Sequence, residues 1–371
     1  MITNKIQLFW FRFAKFALML PLKSKILLFP YWMALKVRHF LYDKGIKKSH
    51  TFHVPTICIG NITVGGTGKT PHTEMVIRML QDKYRIAVLS RGYKRKTKGF
   101  RIAQDGDTHA HIGDEPLQIK HKFPHITVAV CEDRCKGIEQ LLALPEPSAG
   151  TCGPFRPQLI ILDDAFQHRK VKPSHSIVLM NWHNPIFSDN LLPIGRLRDL
   201  PEQIKRADTV IVTKSPLFGE HDGFIDKELA AQQLAPIAKD WRKNLQLRDH
   251  QQLCFSYITY DEPLPVHPDA DNRYLYAHSA IFFTGIASDT EFKNHIAGMH
   301  KVLDSIKFPD HCNFSKGDIR EINAWAAQYP TSAVYTTEKD SKRLIGNPHL
   351  SEELKKRLFY IPIKTEILPY K

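Results

Sequence analysis

The chain has 371 residues, of which 43% are hydrophobic and 24% are charged. This balance is that of a globular protein with a sizeable core, and it excludes a disordered chain, a collagen-like fibre and a polytopic membrane protein. The net charge is +14, and the first fifty residues hold ten basic side chains against one acid, Asp43. Positive charge concentrated at one end predicts contact between that end and an anionic surface.

Residues 1–48 form a basic, aromatic segment whose longest charge-free stretch, residues 26–35, has only ten residues. A helix that spans a bilayer needs about 20 apolar residues, so this stretch falls short. Over residues 5–17, basic and apolar side chains fall on opposite sides of a helical wheel, which predicts a helix lying among lipid headgroups. The alternative is an amphipathic helix that only covers the domain. A secretory signal peptide is disfavoured because charges interrupt the apolar part.

From residue 53 onward, short apolar runs alternate with stretches long enough for crossover helices. The first set of predicted strands is 54–59, 86–89, 127–130, 159–162, 176–179 and 209–212. Their alternation with helices predicts a mostly parallel sheet. The proline-rich residues 144–157 are predicted to form a surface loop. A second set of strands, at 253–260, 280–283, 331–335 and 358–363, predicts a smaller C-terminal α/β domain.

The six cysteines include no C-x-x-C pair, and a chain of this length does not need disulfide staples. We therefore predict reduced thiols in a cytosolic compartment. Cys131 and Cys135 could share one face of a helix and bind a metal ion. No second pair of ligands stands nearby in the sequence, so the pattern does not favour a metal site there.

The first predicted strand runs into a glycine-rich segment that resembles a phosphate-binding loop. Its glycines let successive N–H groups point at phosphate oxygens, Lys69 can reach the β- and γ-phosphates, and Thr70 offers a hydroxyl to Mg²⁺. Thr63 stands where the standard motif has glycine, so this is a variant P-loop. The alternative is a glycine-rich turn with an incidental lysine. The predicted nucleotide-binding residues are Thr63, Val64, Gly65, Gly66, Thr67, Gly68, Lys69 and Thr70.

Two carboxylates follow the predicted strand 159–162. The end of a buried strand would project Asp163 and Asp164 towards the nucleotide, as the second half of a P-loop site. Asp164 and His168 are four residues apart, so a helical turn there would bring them together. An imidazole held by a carboxylate could then take a proton from a hydroxyl nucleophile. The alternative is a solvated, salt-bridged loop.

Other polar clusters are weaker signals. Asp114 and Glu115 follow a glycine and could lie near Mg²⁺, although alone they are a common polar turn. Arg91 follows the strand 86–89 at the same edge of the sheet, where an anionic substrate would lie. In the C-terminal domain, residues 308–311 and 337–340 are candidate nucleotide or interdomain contacts, and ordinary loop chemistry is the more common reading of each.

Together these segments resemble the motifs of the tetraacyldisaccharide 4'-kinase family, the lipid A 4'-kinases of Gram-negative bacteria. The matching segments are the variant P-loop 63–71, Ser-Arg-Gly-Tyr at 90–93, Gly-Asp-Glu-Pro at 113–116, Asp-Asp-Ala-Phe-Gln-His-Arg at 163–169, Leu-Pro-Ile-Gly-Arg-Leu-Arg at 192–198 and Thr-Glu-Lys-Asp at 337–340. Three positions depart from the family pattern: Ala165 replaces a frequent glycine, Asp199 a usual glutamate, and Cys312 a common second histidine.

The resemblance implies a reaction and a set of roles. ATP would donate its γ-phosphoryl group to the 4'-hydroxyl of a tetraacylated glucosamine disaccharide 1-phosphate. Lys69 would contact the phosphates, and Arg91 with the basic N-terminal segment would hold the anionic substrate. The implied Mg²⁺ residues are Thr70, Glu115 and Asp163, and the implied catalytic residues are Asp114, Asp164 and His168.

The implied fold is a P-loop NTPase-like, mostly parallel sheet with helices on both faces. The chain would consist of a membrane-interface segment at 1–48, a kinase domain at 49–250 and a smaller α/β domain at 251–371. The enzyme would lie on the cytoplasmic face of the inner membrane, peripheral or monotopic through its N-terminal segment. The lipid substrate and the lipid surface would be its partners, with no nucleic acid and no obligate protein partner.

Two other classes of function remain open from the residues alone. A membrane-bound P-loop ATPase would pass the phosphate only to water, and the Asp–His pair favours a transferase because a hydrolytic switch needs only a positioned water. A nucleic-acid ligand would suit the positive charge, but the excess lies in an aromatic, apolar segment, which favours lipid over phosphodiester.

Overall fold

The computed structural model describes residues 22–147, 153–221, 224–286, 289–309, 312 and 314–368. The interfacial helix predicted over residues 5–17 lies outside these ranges, as do Asp310 and His311. Within the described ranges, no helix combines the length and apolar character that crossing a membrane requires. The chain divides into two compact units, one formed by the residues up to Tyr257 and from Glu366, the other by Ile258–Thr365.

Strands and helices alternate along the first unit. Its helices are α1 (Leu22–Asp43), α2 (Lys69–Leu80), α3 (His109–Ile112), α4 (Asp114–Lys122), α5 (Arg134–Leu142) and α6 (Lys227–Leu245). Its strands are β1 (Thr56–Asn61), β2 (Ile86–Ser90), β3 (Arg101–Ile102), β4 (Thr127–Val130), β5 (Leu159–Asp163), β6 (His175–Asn181), β7 (Thr209–Thr213), β8 (Glu220–His221), β9 (Phe224–Ile225) and β10 (Gln252–Tyr260). Short 3₁₀ turns lie at Ile186–Ser188 and Pro201–Arg206.

The remaining elements follow β10. The strands are β11 (Leu264–Pro265), β12 (Ser279–Thr284), β13 (Lys301–Lys307), β14 (Ala333–Thr337), β15 (Leu358–Ile361) and β16 (Ile363–Ile367). The helices are α7 (Thr290–Met299), α8 (Lys316–Ala327), α9 (Glu338–Leu344) and α10 (Glu352–Lys355), with a 3₁₀ turn at Asn272–Tyr276. In the second unit β11, β15, β14, β12 and β13 form a five-stranded sheet in that order, parallel except at β11.

The large sheet has nine strands in the order β16-β10-β7-β6-β1-β5-β2-β4-β3. From β10 to β4 every neighbouring pair is parallel, and β3 runs antiparallel to β4. Because β1, β5 and β2 are adjacent and parallel, their carboxyl ends meet at one edge of the sheet. The loops that follow Asn61, Asp163 and Ser90 therefore come together there, which is where ligands bind in open α/β sheets.

Helices cover both faces of this sheet. Along β5, Ile160 and Leu162 face one apolar core, while Leu159 and Ile161 face the other. Helices α1, α5 and α6 pack into the first core, and α2 and α4 into the second. Strands buried on both faces need continuous apolar runs, which is why the runs predicted the strands. The predicted fold class, a mostly parallel α/β sheet with helices on both faces, is confirmed.

The element limits differ from the prediction in small, explicable ways. Helix α2 begins at Lys69, within the predicted phosphate-binding segment. The last predicted strand, 358–363, is two strands, because Pro362 has no N–H to continue the ladder. The described parts of the predicted loop 144–157 contain no helix or strand after residue 143. A compact unit is not by itself an independently folding domain, so the limits 1–48, 49–250 and 251–371 stay predictions.

Candidate active site

The phosphate loop, residues 63–70, leaves β1 at the carboxyl edge of the sheet and enters α2. Gly65 (φ +99°) and Gly68 (φ +78°) adopt left-handed backbone conformations that favour glycine. Gly65 and Gly66 are exposed, and Gly68 immediately precedes the first turn of α2. The open loop thus leads directly into the positive end of a helix, an arrangement that binds phosphate groups.

Asn61, the last residue of β1, is fully buried and holds the phosphate loop in shape. Its Nδ2 donates to Thr67 Oγ1 at 2.8 Å, and its Oδ1 accepts from the Arg198 guanidinium. Its backbone carbonyl accepts from Gln167 Nε2 at 2.6 Å. Asn61 therefore joins three motif segments. Sequence analysis gave it no role, although an asparagine that ends a buried strand inside the P-loop motif was the available signal.

The arginine loop, residues 192–198, pairs directly with the phosphate loop. Val64 N–H donates to the Arg196 carbonyl at 2.7 Å, and Arg198 N–H donates to the Ile62 carbonyl at 2.9 Å. Thr63 and Leu197 form an antiparallel bridge between these two hydrogen bonds. The variant residue Thr63 is thus buried in a short backbone ladder, and the pairing brings Arg198 to the end of β1.

Asp164 lies between two cations at the end of β5. Arg198 grips both of its carboxylate oxygens, with Nη1 3.2 Å from Oδ2, and Lys69 Nζ lies 4.0 Å from Oδ2. Burial alone would raise the pKa of Asp164, but the Arg198 hydrogen bonds and the charges of Lys69, Arg198 and Arg134 outweigh it and hold this pKa below its usual range. Asp164 is therefore a carboxylate with both oxygens engaged. Sequence analysis quoted Arg198 but assigned it no role.

The pKa of Asp163 is shifted in the opposite direction from that of Asp164. Asp163 is 6% exposed, and its Oδ1 accepts from Thr73 Oγ1 at 3.3 Å. Burial, and then the charges of Asp164 and Glu115, raise the pKa of Asp163 to about 6, against the opposing charges of Lys69 and Arg134. Asp163 thus lies close enough to two further carboxylates, Asp164 and Glu115, for their charges to act on it. With the Thr70 hydroxyl at the start of α2, this hard-oxygen donor set suits Mg²⁺.

Two of the predicted motifs pack against each other beside these carboxylates. Gly113 (φ +92°) precedes α4, and a Cβ at that position would lie 3.0 Å from the Tyr93 carbonyl oxygen. Only glycine lets the 90–93 turn approach the start of α4 so closely. Asp114 and Glu115 therefore lie in the first turn of α4 beside Arg91, with Asp114 exposed and Glu115 partly buried.

Arg134 is a further site residue that sequence analysis missed. It begins α5, is 3% exposed, and donates through Nη2 to the backbone carbonyl of Asp163 at 3.1 Å and through Nη1 to that of Cys131 at 2.9 Å. Burial lowers its pKa while the charges of Asp163 and Asp164 raise it. A buried guanidinium behind the carboxylate pair stabilises their negative charge. Arg91, exposed beyond β2, is close enough for its charge to act on Arg134.

The predicted Asp164–His168 pair is not formed. Residues 164–170 make irregular turns with Asp164 in a left-handed conformation (φ +47°), so the helical turn on which the pairing depended is absent. Among the described residues, no hydrogen bond or ion pair joins the two side chains. His168 Nε2 instead lies 3.9 Å from Asp133 Oδ1. Burial, with the charge of Arg134, lowers the pKa of His168 to about 4, which makes it neutral at pH 7.

The structure also bears on metal binding near the cysteines. The ligand atoms of Asp133, Cys135 and His168 lie within 4.8 Å of one another, whereas Cys131 is buried elsewhere in the first core. Lys170 Nζ lies 3.1 Å from Asp133 Oδ2. Because an ammonium group already compensates this carboxylate, the cluster is explained as an ion pair beside a neutral imidazole.

In the second unit, the predicted tetrad 337–340 builds the turn from β14 into α9. Thr337 caps α9, and its Oγ1 donates to Asp340 Oδ2 at 2.7 Å. The same oxygen of Asp340, which is fully buried, accepts from the Gly285 N–H at 2.8 Å. The tetrad thus ties α9 to the loop that follows β12. The other predicted segment, 308–311, includes Asp310 and His311, which lie outside the described residues.

The chain matches a known family over nearly its whole length. The model of the LpxK family, described as tetraacyldisaccharide-1-P 4'-kinase, matches residues 20–370. A tetraacyldisaccharide 4'-kinase of Bacteroides thetaiotaomicron is 42% identical over 354 residues, covering 91% of this chain and 87% of the relative. One of Flavobacterium johnsoniae is 38% identical over 347 residues, covering 92% of each chain.

A solved structure agrees with these matches. The crystal structure of LpxK from Aquifex aeolicus in complex with ATP is similar to this chain with a TM-score of 0.66 and 27% identity. The match covers 94% of this chain and 95% of that one. The site described above is built from the same segments that carried the sequence resemblance. The phosphate loop, the arginine loop, the start of α4 and the end of β5 lie at one edge of the sheet. The chain belongs to the tetraacyldisaccharide-1-P 4'-kinase family.

Proposed function

We propose that this chain is an ATP-dependent kinase that phosphorylates the 4'-hydroxyl of a tetraacylated glucosamine disaccharide 1-phosphate. The observation that carries the proposal is that Lys69 and Arg198 lie beside two adjacent carboxylates next to the phosphate loop. The pKa of one carboxylate, Asp163, is raised, and the pKa of the other, Asp164, is lowered. Phosphoryl transfer depends mainly on positioning and on neutralising charge, and these residues supply both.

ATP and Mg²⁺ are the cofactors of the proposal. The phosphate loop, residues 63–70, would bind the phosphates, and Lys69 would follow the transferring group. Thr70, Asp163 and Glu115 would hold the metal ion, whose chemistry is to neutralise charge on the β- and γ-phosphates. The raised pKa of Asp163 supports this assignment, because a divalent cation is the group that would favour its ionised form.

The proton of the 4'-hydroxyl needs an acceptor. Asp164 is poorly suited to accept it, because Arg198 and Lys69 engage its oxygens and favour its charged form. We assign Asp164 to orienting these two cations. Asp114, which is exposed in the first turn of α4, is the carboxylate that we propose as the base. His168, which lies near Asp133, stays a candidate residue whose effect would be independent of Asp164.

The substrate side of the proposal rests on charge and apolar surface. Arg91 would contact an anionic group of the lipid. Helix α1 exposes Ile26, Leu27, Val37 and Phe40, which suit contact with acyl chains or a bilayer surface. Together with the basic N-terminal segment, they support a peripheral or monotopic position on the inner membrane. The cytoplasmic face is proposed because that is where ATP is available.

Transfer of label from ATP tests this function. The protein is incubated with ATP labelled at the γ-position, with and without the acylated disaccharide 1-phosphate, and the products are extracted into chloroform. We expect label in a chloroform-soluble product only when the disaccharide is present. Label that appears only as inorganic phosphate, equally with and without the lipid, would instead support an ATPase.

A further inference from the structure

Helix α1 is fastened to the active-site loops by a buried polar cluster that the proposed reaction does not use. His39 and Asp199 are 3% and 0% exposed, and His39 Nε2 lies 2.6 Å from Asp199 Oδ1. On the other side of the ring, Arg169 Nη1 lies 3.0 Å from His39 Nδ1. We name these three residues the clasp. Burying an ionised carboxylate is costly, so a cluster of this kind needs a structural or functional reason.

The hydrogen bonds define where the protons of the clasp lie. A guanidinium can only donate, so His39 Nδ1 must accept from Arg169. The ring proton is therefore on Nε2 and is donated to the Asp199 carboxylate. Asp199 Oδ1 also accepts from the Leu200 N–H at 2.8 Å, and its Oδ2 accepts no hydrogen bond from the described residues. His39 is thus the main side-chain donor to a fully buried carboxylate.

The clasp adjoins the active site in the sequence. Asp199 directly follows Arg198, and the Arg198 carbonyl accepts from the Tyr31 hydroxyl of α1 at 2.9 Å. In the same helix, the Arg38 guanidinium donates a hydrogen bond to the backbone carbonyl of Gln167. The side-chain amide of Gln167 in turn donates to the backbone carbonyl of Asn61. Helix α1 therefore grips the backbone of both segments that support the Arg198–Asp164 pair.

We propose that His39 is a positioning residue that holds Arg198 on Asp164 and Asn61 through Asp199. The proposal rests on the proposed function, because it gives Arg198 and Asp164 a part in phosphoryl transfer. Without His39, a buried carboxylate would remain next to Arg198 in the chain with one backbone donor. Neighbouring guanidinium groups, Arg206 among them, would be drawn towards it, and the arginine loop would shift. A displacement of about 1 Å at a positioning group can cost about 10²-fold in rate.

The consequence is that α1 links the lipid side of the molecule to the transfer chemistry. The helix that exposes Ile26, Val37 and Phe40 on one side holds the Arg198 backbone through Tyr31 on another. A change in how α1 meets its lipid surroundings would therefore reach Arg198 through Tyr31 and His39. Catalytic turnover, rather than nucleotide binding, is the property that the clasp controls.

The experiment compares four variants of the full chain in steady-state transfer from ATP to the acylated disaccharide. His39→Ala breaks the clasp, and His39→Gln keeps a donor for Asp199 and an acceptor for Arg169. Tyr31→Phe deletes one hydroxyl from a ring that can still pack, so it stays informative if His39→Ala fails to fold. Glu202→Gln is the matched control, because Glu202 joins the segment after Asp199 to the same helix through an exposed ion pair with Lys36.

We expect His39→Ala to lower kcat about 10- to 100-fold with KM for ATP and sedimentation with anionic vesicles unchanged. His39→Gln should recover most of the rate, Tyr31→Phe should lose a few-fold, and Glu202→Gln should behave like the natural chain. In a double-mutant cycle, His39→Ala should cause little further loss of rate once Arg198 is alanine, because His39 acts through Arg198.

Other outcomes separate the two proposals. If Arg198→Ala is severe but His39→Ala and Tyr31→Phe leave kcat unchanged, or if the cycle is additive, the clasp proposal is overturned and the proposed function stands. A merely structural role for His39 would lower the melting temperature of His39→Ala without changing kcat at a temperature where the variant is folded. If Arg198→Ala itself transfers phosphate normally, both the clasp and the proposed site are wrong.

Discussion

At the scale of single residues, the phosphate loop makes the most direct prediction. Lys69→Ala removes the cation that lies 4.0 Å from Asp164 and that we propose contacts the phosphates, and Thr70→Ala removes the proposed metal-ligating hydroxyl. Each should lower kcat/KM by about 10²-fold or more, or ~3 kcal/mol of transition-state stabilisation. The assay is transfer at subsaturating ATP. Lys83→Ala, an exposed lysine beyond the other end of α2, is the control, and near-normal turnover by Lys69→Ala would contradict the site.

Asp164 and His168 make a second prediction at this scale, because the structure separates two residues that the sequence pattern pairs. Asp164→Asn should be severe, since it weakens the grip of Arg198 and Lys69, whereas His168→Ala should have a smaller effect on kcat. With no shared hydrogen bond, the two effects should add in the double mutant. The measurement is kcat for the four members of the cycle. If kcat of the double mutant equalled that of Asp164→Asn, the result would instead support a coupled Asp164–His168 pair.

The separation shows what the spacing of residues can and cannot predict. A spacing of four places two side chains together only on a helix. Because Asp164 has a left-handed backbone conformation, no helical turn forms between it and His168. No local sequence pattern indicates this conformation. Asp163, by contrast, was predicted to lie at the nucleotide edge of the sheet, and its place at the end of a buried strand followed from the apolar run before it.

At the scale of elements, α1 combines two roles that deletions can separate. Leu28, Trp32 and Leu35 belong to the first core, while the basic residues 1–21 precede the helix. Removing residues 1–21 should release much of the protein from anionic vesicles and leave it folded, because it removes charge and aromatic side chains and keeps every described core residue. Vesicle co-sedimentation over a range of salt concentrations measures this. Unchanged binding would place the lipid contact elsewhere.

The core side of α1 supplies the complementary measurement. Trp32 is 2% exposed, so Trp32→Ala should lower the free energy of unfolding by about 3–5 kcal/mol through lost burial and a cavity. Chemical denaturation measures it. Val37→Ala, on the exposed side of the same helix, should change stability little. If Trp32→Ala were neutral, α1 would not be part of the core.

Helix α7 of the second unit predicts a pH dependence of stability. His295 stacks on Tyr260 with ring centroids 4.4 Å apart, exposed Glu291 lies one turn earlier, and burial lowers the pKa of His295 below 6.5. The unfolded chain therefore takes up this proton at a higher pH than the folded unit. Stability should be full above about pH 6.5, fall as the pH drops below it, and level off below the folded pKa.

His295→Phe tests that dependence, because it keeps a ring against Tyr260 and removes the titrating group. Unfolding free energies measured between pH 8 and pH 5 should show a smaller loss for this variant than for the natural chain. His349→Gln, an exposed histidine in the same unit, is the control and should leave the loss unchanged. An identical loss in His295→Phe would show that other groups govern the pH response.

At the scale of the whole molecule, the sheet was largely predictable and the pairing of loops was not. Strands buried on both faces require long apolar runs, so β1, β5 and β7 were located within two residues. The ladder between the phosphate loop and the arginine loop joins segments about 130 residues apart in sequence, and it depends on backbone groups that any side chain could carry. Asn61 and Arg198 acquire their roles only through that ladder.

Strand β16, residues 363–367, lies beside β10, whose last residue, Tyr260, comes roughly a hundred positions earlier in the chain. During synthesis, β10 therefore leaves the ribosome with one row of N–H and C=O groups still lacking a partner. At about 5–20 residues per second, that row stays uncovered for roughly 5–20 s. An open strand edge invites pairing with another chain. A chain that ends before residue 363 should therefore aggregate more readily than the full chain.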